Sequence, residues 1–253
     1  MSKITFENRA GINLAGNLEK PDSGAVRATA LFAHCFTCGR DIRGAREITR
    51  ALAGEGFAVL RFDFTGLGES EGDFADTSFS SNLDDLEDAA GWLSERLQAP
   101  SLLVGHSLGG AAMLAVAERL ESARAVVTLG APSSADNVLR QFGKDNLETI
   151  RQQGCATVEL AGRPFRIRED FIEDARSHDL ETRLQKLNRA LLVMHSPVDR
   201  IVSIDHAERI FTAARHPKSF VSLDRADHLL SNTDDASYAA RVIAAWSCRY
   251  LQV

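Results

Sequence analysis

The chain has 253 residues, of which 44% are hydrophobic and 25% are charged, an ordinary balance for a globular protein with a sizeable core. The formal net charge of -6 argues against a nucleic-acid partner, because phosphate binding requires a basic face. The N-terminal residues lack the apolar region of a secretory signal peptide, and no apolar run approaches the roughly 18 residues of a membrane span, so we expect a cytoplasmic protein with no membrane partner.

The first part of the chain alternates predicted strands and helices. Residues 3–18 predict a hairpin at a sheet edge, and the apolar runs 28–33 and 57–62 predict buried strands. Asp41 is predicted to cap one helix and Asn82 a second. The inward positions repeat every three or four residues, at Ala45, Ile48 and Leu52 in the first helix and at Leu83, Leu86, Ala90, Leu93 and Leu97 in the second.

The second part continues the alternation, with one interruption. Predicted elements are strands at 102–104, 125–129, 190–194 and 220–223, and helices at 108–120, after a cap at Ser203, and at 234–251. Residues 132–188 are charged and irregular, apart from a predicted hairpin around Gly162. We interpret 132–188 as a small inserted cap, because the segment is too small and polar to hold a core of its own.

This alternation predicts an α/β fold with a mostly parallel sheet of about eight strands and helices on both faces. We therefore expect a single domain over residues 1–253, with 132–188 as its cap insertion. In such sheets, ligands bind beyond the carboxyl ends of the strands. Each motif described below directly follows a predicted strand, as a single active site requires.

The segment Gly105-His-Ser-Leu-Gly109 lies between an apolar strand and an apolar helix. This strand–turn–helix pattern is typical of a nucleophile elbow, in which Ser107 sits on a sharp turn at the start of the helix. A side chain at Gly105 or Gly109 would collide with the neighbouring strand or helix. The alternative is an ordinary helix start with Ser107 as its cap, but the context favours a catalytic serine.

A serine hydroxyl needs a base to remove its proton and a carboxylate to orient that base. Asp199 and His228 follow the last two predicted strands, in the order serine, acid, histidine. Other candidates fit less well. His195 precedes the acid on its own loop, His206 lies inside a helix, and Asp224 and Asp227 share the loop of the base, while His34 remains a further rival base.

The developing negative oxygen of the transition state needs preorganised donors. The Leu108 amide directly follows the nucleophile, and the Phe36 amide lies in the loop after the third strand, where the second donor is expected. We predict both as an oxyanion hole through their main chain only. His34, Cys35 and His106 are weaker candidates for substrate binding.

Taken together, the segments LFAHCFTCGRD, FDFTGLGESEGDF, GHSLGG, HSPVDRIV and RHPKSFVSLDRADHLL resemble the α/β-hydrolase part of bacterial proteins that join a serine esterase to an OsmC-like domain. The resemblance covers nearly the whole chain and implies ester hydrolysis with Ser107, Asp199 and His228 as the triad. Two features depart from the pattern. The sequence ends at Val253 without an OsmC-like segment, and Cys35 stands where many α/β-hydrolases have His-Gly.

The sequence contains four cysteines, too few for a disulfide framework in a chain of this length. Cys35 and Cys38 form a C-x-x-C segment that could be a redox pair, half of a zinc site, or two small thiols near a helix start. We favour two free thiols. If a disulfide forms, we expect it to pull at Phe36 and lower activity. The loop from Asp63 to Gly72 is predicted to buttress the site, with Ser70 as a supporting donor.

The predicted function is a carboxylesterase that hydrolyses small-molecule short-chain acyl esters through an acyl-enzyme intermediate, without metal or cofactor. Its rate should fall below about pH 6.5, the ordinary pKa of imidazole. The same triad would serve a peptidase, thioesterase or lactonase. A non-catalytic scaffold and a C-x-x-C redox protein are further alternatives. The oligomeric state stays open, a homodimer included.

Overall fold

The computed structural model describes residues 1–251 and contains one eight-stranded sheet and one two-stranded hairpin. The strands are β1 (Ser2–Glu7), β2 (Asn13–Glu19), β3 (Ala28–Ala33), β4 (Phe57–Phe62), β5 (Leu102–His106), β6 (Ala125–Leu129), β7 (Cys155–Leu160), β8 (Arg163–Arg168), β9 (Ala190–His195) and β10 (Lys218–Ser222). The large sheet has the order β1-β2-β4-β3-β5-β6-β9-β10. The β1–β2 and β2–β4 pairs are antiparallel and the other five pairs are parallel, so the mostly parallel sheet predicted above is confirmed.

Helices cover both faces of this sheet. They are α1 (Arg43–Gly54), α2 (Phe79–Arg96), α3 (Leu108–Val116), α4 (Lys144–Gln153), α5 (Glu169–Ser177), α6 (Leu180–Lys186), α7 (Asp205–Ala213) and α8 (Thr233–Ser247), with short 3-10 helices at Phe74–Asp76 and Ala135–Phe142. Helices α1 and α8 share one buried apolar cluster with the sheet, whereas α2, α3 and α7 contribute to the other. Within residues 1–251, no helix has both the length and the apolar character needed to cross a bilayer.

Two predicted helix caps are wrong, because other side chains provide better partners. Helix α2 begins at Phe79, since the Ser78 hydroxyl accepts a hydrogen bond from the Ser81 amide while the Ser81 hydroxyl accepts one from the Ser78 amide. This reciprocal capping box satisfies two amide donors at once. Asn82 therefore lies inside the helix. Asp41 instead accepts a hydrogen bond from the Asn17 side chain at 2.9 Å.

Smaller differences occur at three other helix ends. Helix α7 begins at Asp205, and the predicted cap Ser203 accepts a hydrogen bond from the Asp205 amide just before the helix, at 3.3 Å. Helices α3 and α8 end at Val116 and Ser247, earlier than predicted. Apolar residues also occur beyond both helix ends, so the spacing of apolar residues alone does not show where either helix ends.

The segment 132–188 contains the predicted hairpin around Gly162, formed by β7 and β8. Its buried apolar side chains pack into the same cluster as those of α2 and α3. This agrees with the expectation that so polar a segment does not hold a core of its own. The buried side chains include Val138, Phe142, Ile150, Val158, Ile167 and Phe171. The segment therefore shares the core of the sheet, and we keep its interpretation as a cap as a proposal.

Candidate active site

Ser107 lies on a strained turn between β5 and α3. Its φ of 54° is positive, which is uncommon for a residue other than glycine and stores strain. A Cβ added to Gly105 would lie 2.3 Å from the Gly109 carbonyl oxygen, and one added to Gly109 would lie 2.4 Å from the carbonyl oxygen of His34. The two glycines therefore allow the helix to approach its own strand and the end of β3, as predicted from their spacing.

Three of the predicted site residues form a chain of hydrogen bonds at the carboxyl edge of the sheet. His228 Nδ1 lies 2.7 Å from Asp199 Oδ2, and His228 Nε2 lies 3.0 Å from Ser107 Oγ. Because the carboxylate can only accept, Nδ1 carries the hydrogen and Nε2 is free to accept the serine proton. The arrangement can perform general-base activation of a hydroxyl.

The Asp199 side chain is held as an ionised carboxylate. Its second oxygen, Oδ1, accepts hydrogen bonds from the Ile201 amide at 2.8 Å and the Val202 amide at 3.0 Å. Burial would raise the pKa of the Asp199 carboxyl, but the hydrogen bonds from His228 and Val202 outweigh it and lower that pKa. The carboxylate is therefore available as a hydrogen-bond acceptor for His228 at neutral pH.

His106, a weaker candidate for substrate binding, lies in the interior beside the loop of the base. Its side chain is buried, does not line the cavity beside the elbow, and donates from Nε2 to the His228 carbonyl oxygen at 2.6 Å. This contact holds the backbone of the loop that carries the base. Periodicity and motif spacing gave no signal for it, because the two residues meet only in the folded chain.

A second buried histidine supports the loop of the acid. His195 Nε2 donates to the Val202 carbonyl oxygen at 2.8 Å and lies 3.7 Å from Asp199 Oδ2. Burial lowers the pKa of His195, which keeps its ring neutral. Another rival base, His206, pairs through Nδ1 with the Ser133 hydroxyl at 2.9 Å. Neither His195 nor His206 makes a hydrogen bond to Ser107.

The pKa of His106 makes folding stability dependent on pH. Burial, together with the nearby His228, lowers the pKa of His106 from 6.5 to about 3. Between these values the unfolded chain binds a proton at this histidine that the folded chain does not, so the free energy of unfolding falls as the pH falls from 6.5 towards 3. The slope from this residue approaches about 1.4 kcal/mol per pH unit.

We therefore expect His106→Gln to flatten the acid side of the stability profile. Between pH 6 and pH 4.5, wild type should lose about 2 kcal/mol more than the variant. Urea unfolding of both proteins at the two pH values measures this difference. Equal losses in both proteins would show that His106 can take up its proton within the fold.

Phe36 and Leu108, the predicted oxyanion donors, both line one cavity. Neither backbone amide donates a hydrogen bond to another group of residues 1–251. The cavity is small and is lined by His34, Cys35, Phe36, Thr37, Phe64, Leu67, Phe74, Phe79, Asn82, Leu108, Gly109 and Ala112. The amides are therefore available to a negative oxygen formed next to Ser107.

The prediction of free thiols at the C-x-x-C segment is wrong. Cys35 and Cys38 form a disulfide with their Cα atoms 5.3 Å apart. Helix α1 begins only at Arg43, so the preceding loop can bend until the two cysteines meet, whereas the predicted start near Asp41 left less room. The disulfide closes a short loop that contains Phe36, and Arg163 of the β7–β8 hairpin donates to the Thr37 carbonyl oxygen of the same loop.

The loop from Asp63 to Gly72 is cross-linked to its surroundings. The Asp63 carboxylate accepts hydrogen bonds from the Arg40 guanidinium and from the Arg40 and Glu69 amides. Ser70 donates to the Asp63 carbonyl oxygen at 2.5 Å and accepts from the Ala15 amide at 2.9 Å. Ser70 thus holds the backbone of this loop to strand β2, and it has no hydrogen bond to Ser107, Asp199 or His228.

Sequence reasoning missed one residue beside the acid and base. Gly130 follows β6 with a φ of 56°, and a Cβ there would lie 3.3 Å from Asp199 Oδ2 and 3.4 Å from His228 Nδ1. A glycine here leaves room for the hydrogen bond between these two side chains. A glycine directly after a strand was the available signal, but glycines in turns are too common for it to stand out.

Known proteins share this fold and parts of its sequence. The model of the alpha/beta hydrolase family matches residues 30–245. The esterase domain of a Rhodothermus marinus protein is 46% identical, with a TM-score of 0.80 and coverage of 99% of this chain and 98% of that one. Est1E from Butyrivibrio proteoclasticus, solved with ferulic acid bound, has a TM-score of 0.84 at 17% identity, over 99% of this chain and 100% of that one, and shares the fold alone.

Among curated proteins, the mitochondrial palmitoyl-protein thioesterase ABHD10 of Mus musculus is 30% identical over 166 residues, which are 61% of this chain and 54% of that protein. The chain spans 54% to 62% of the length of the five mammalian ABHD10 proteins that it matches. The family match covers most of the chain, and the Rhodothermus marinus domain matches almost all of it. The chain therefore belongs to the alpha/beta hydrolase family.

Proposed function

We propose that this protein is a serine carboxylesterase that hydrolyses short-chain acyl esters, with Ser107 as nucleophile, His228 as base and Asp199 as the orienting acid. The observation that carries the proposal is the continuous hydrogen-bonded path from Asp199 through His228 to the Ser107 hydroxyl. The esterase domain at 46% identity supports the same class of reaction. The proposed reaction needs no metal or cofactor.

In the acylation step, His228 Nε2 removes the Ser107 proton as the serine oxygen attacks the ester carbonyl carbon. The carbonyl oxygen becomes negative and accepts hydrogen bonds from the Phe36 and Leu108 amides. When the tetrahedral intermediate collapses, the bond to the alcohol oxygen breaks and His228 protonates that oxygen. Asp199 stabilises the histidine while it carries the extra proton.

In the deacylation step, a water molecule replaces the alcohol. His228 removes one proton from the water, the water oxygen attacks the acyl carbon, and the same two amides hold the negative oxygen. The bond between Ser107 and the acyl carbon then breaks, and His228 returns its proton to Ser107. The acid leaves and the enzyme is restored.

The shape of the cavity supports short acyl groups. Phe36 forms one wall and packs against three other phenylalanines, Phe74, Phe142 and Phe171, with ring centroids 5.6 to 6.1 Å apart. Two of these rings, Phe142 and Phe171, belong to the segment 132–188, so the proposed cap packs against Phe36. A small, mostly apolar pocket favours a short acyl group over a long chain.

A thioesterase activity is the second candidate, since five of the curated relatives that the chain resembles are named palmitoyl-protein thioesterases. The same serine chemistry cleaves a thioester, with a thiol as the leaving group. Chain length separates the two proposals: the small cavity favours acetyl to butyryl groups, whereas a palmitoyl thioesterase must accept a much longer chain.

Labelling by a fluorophosphonate probe tests the proposal directly. Mass spectrometry of the labelled protein should place the adduct on Ser107, and the Ser107→Ala variant should remain unlabelled. Hydrolysis of 4-nitrophenyl esters from acetate to octanoate, of matched acyl thioesters and of a peptide amide then assigns the substrate class. A folded protein that neither reacts with the probe nor hydrolyses any ester would contradict the proposal and favour a non-catalytic scaffold.

The disulfide leads to a further expected result. With the bridge present, the Phe36 amide has no hydrogen-bond partner within residues 1–251, so we expect the bridge to preorganise this donor rather than to impair it. Reduction should then lower kcat, by less than the roughly 100-fold that loss of a complete oxyanion donor costs. Turnover is compared after dithiothreitol and after diamide, with the disulfide state confirmed by mass.

The Cys35→Ser/Cys38→Ser double variant is the matched control for this comparison. It should behave like the reduced protein and respond to neither reagent. Equal turnover of oxidised and reduced wild type would remove any role of the bridge in positioning Phe36. Higher turnover after reduction would support the opposite effect expected from the sequence.

A further inference from the structure

Three polar side chains that the proposed mechanism does not use, His34, Thr37 and Asn82, line the cavity beside Phe36 and Leu108. The Thr37 hydroxyl donates to the Phe36 carbonyl oxygen at 2.7 Å, which leaves His34 and Asn82. Most of the cavity wall is apolar, from Phe64, Leu67, Phe74 and Phe79. His34 and Asn82 also line it, and no lysine, arginine, aspartate or glutamate does so among the residues described. A few convergent polar groups within an apolar pocket are typical of a site that recognises one polar feature of a ligand.

His34 presents an acceptor without a partner. Its side chain is 1% exposed, and its Nδ1 lies 2.8 Å from the Cys35 carbonyl oxygen. Because a carbonyl oxygen only accepts, Nδ1 carries the hydrogen and Nε2 carries the lone pair. Burial lowers the pKa of His34 and keeps the ring neutral. Nε2 is buried and has no hydrogen-bond partner within residues 1–251, an arrangement that is costly unless a ligand or water donates to it.

Asn82 supplies a complementary amide. It lies one turn inside α2, because Ser78 and Ser81 cap this helix, so its side chain is not used at the helix end. Its side-chain amide makes no hydrogen bond to another group in the part of the chain that is described. The amide can therefore donate to an oxygen atom in the same cavity in which His34 offers an acceptor.

We propose that the cavity binds short acyl groups that carry a hydroxyl, whose hydrogen is accepted by His34 Nε2 and whose oxygen accepts a hydrogen bond from Asn82. A carboxylate on the acyl group would bring no hydrogen for Nε2 and would find no cation in the wall. An ammonium group would find no anion there. A hydroxyl both donates and accepts, and so matches both side chains. This inference rests on the proposed esterase function and narrows its substrate class to short hydroxyacyl esters.

Three ethyl esters of similar size test this preference: 3-hydroxybutyrate, 3-methylbutyrate and 3-methoxybutyrate. The methyl analogue removes the polar atom, and the methoxy analogue keeps an oxygen that cannot donate. Wild type should hydrolyse the hydroxy ester with a kcat/KM about tenfold above both analogues, the effect of one well-formed hydrogen bond, after correction for the rate of each ester with hydroxide alone.

Two variants assign the preference to the named side chains. His34→Asn keeps an amide donor near the position of Nδ1 for the Cys35 carbonyl oxygen but removes Nε2. Asn82→Leu removes both polar atoms at nearly unchanged volume. In each variant, the ratio between hydroxy and methyl esters should fall towards one. This ratio is read within a single protein, so a general loss of activity does not change it.

Binding to the Ser107→Ala protein separates this inference from the proposed function. Calorimetry should show tighter binding of free 3-hydroxybutyrate than of 3-methylbutyrate, whether or not the wild type hydrolyses esters. If wild type hydrolyses all three esters equally, the esterase proposal stands and Nε2 binds only water. If no ester is hydrolysed but the hydroxy acid still binds more tightly, the esterase proposal fails alone. Equal binding of the two acids overturns the inference in either case.

Discussion

Replacing Ser107 with alanine should lower kcat for 4-nitrophenyl butyrate by about 10⁵-fold or more. The reason is chemical rather than structural. The Ser107 hydroxyl makes a hydrogen bond to His228 Nε2. Alanine removes this hydroxyl, and with it the nucleophile, but leaves the Cβ in place, so little packing is lost. The variant should keep the urea midpoint of wild type. Residual activity within 100-fold of wild type would mean that another group attacks the ester.

The chain contains a suitable control for this experiment. Ser80 donates from its hydroxyl to Asp174 at 2.6 Å and lies 3.0 Å from His178 Nε2, so it also belongs to a serine, histidine and aspartate group. In this group, the carboxylate contacts the serine directly, and His178 reaches both Ser80 and Asp174 (3.6 Å) through the same nitrogen, Nε2, so its ring does not bridge them through two nitrogens as His228 does. Ser80 lies inside α2 and not on a nucleophile elbow. We expect Ser80→Ala to change kcat by less than tenfold, since the spatial order of the three side chains, not their presence together, determines reactivity.

The sequence predicted the parts of the site that depend on position along the chain. Ser107, Asp199 and His228 each follow a strand of a parallel sheet, and such strands end at one edge. Their mutual contact follows once the strand order is known. The spacing of Gly105 and Gly109 could also be interpreted from the sequence. Both glycines lie in one short turn, and each lets the backbone of another segment come close.

Features that depend on competition between nearby groups were not predictable in this way. Ser78 and Asn82 are both good caps, and the Ser81 hydroxyl decides between them by completing a reciprocal pair. The disulfide depends on where α1 begins, which the helical periodicity does not define. The role of His106 depends on a carbonyl oxygen 122 residues away in sequence.

Asp199→Asn should lower kcat by about 10⁴-fold while changing KM little, since Asp199 does not line the acyl cavity. An asparagine can still accept from the Ile201 and Val202 amides through its oxygen. Its NH₂ group then faces His228 Nδ1, which must accept instead of donate. The hydrogen of the imidazole moves to Nε2, and the ring can no longer take the proton of Ser107.

Asp227→Asn is the matched control, because Asp227 lies on the loop of the base and accepts a hydrogen bond from the Ser231 amide at 2.9 Å without contacting the imidazole. It should leave kcat within a few-fold of wild type. Stopped-flow measurement of the first turnover with 4-nitrophenyl acetate locates the defect of Asp199→Asn, which should slow acylation itself. A normal acylation rate in that variant would mean that the carboxylate serves only to hold the loop, and that the tautomer of His228 is set by another group.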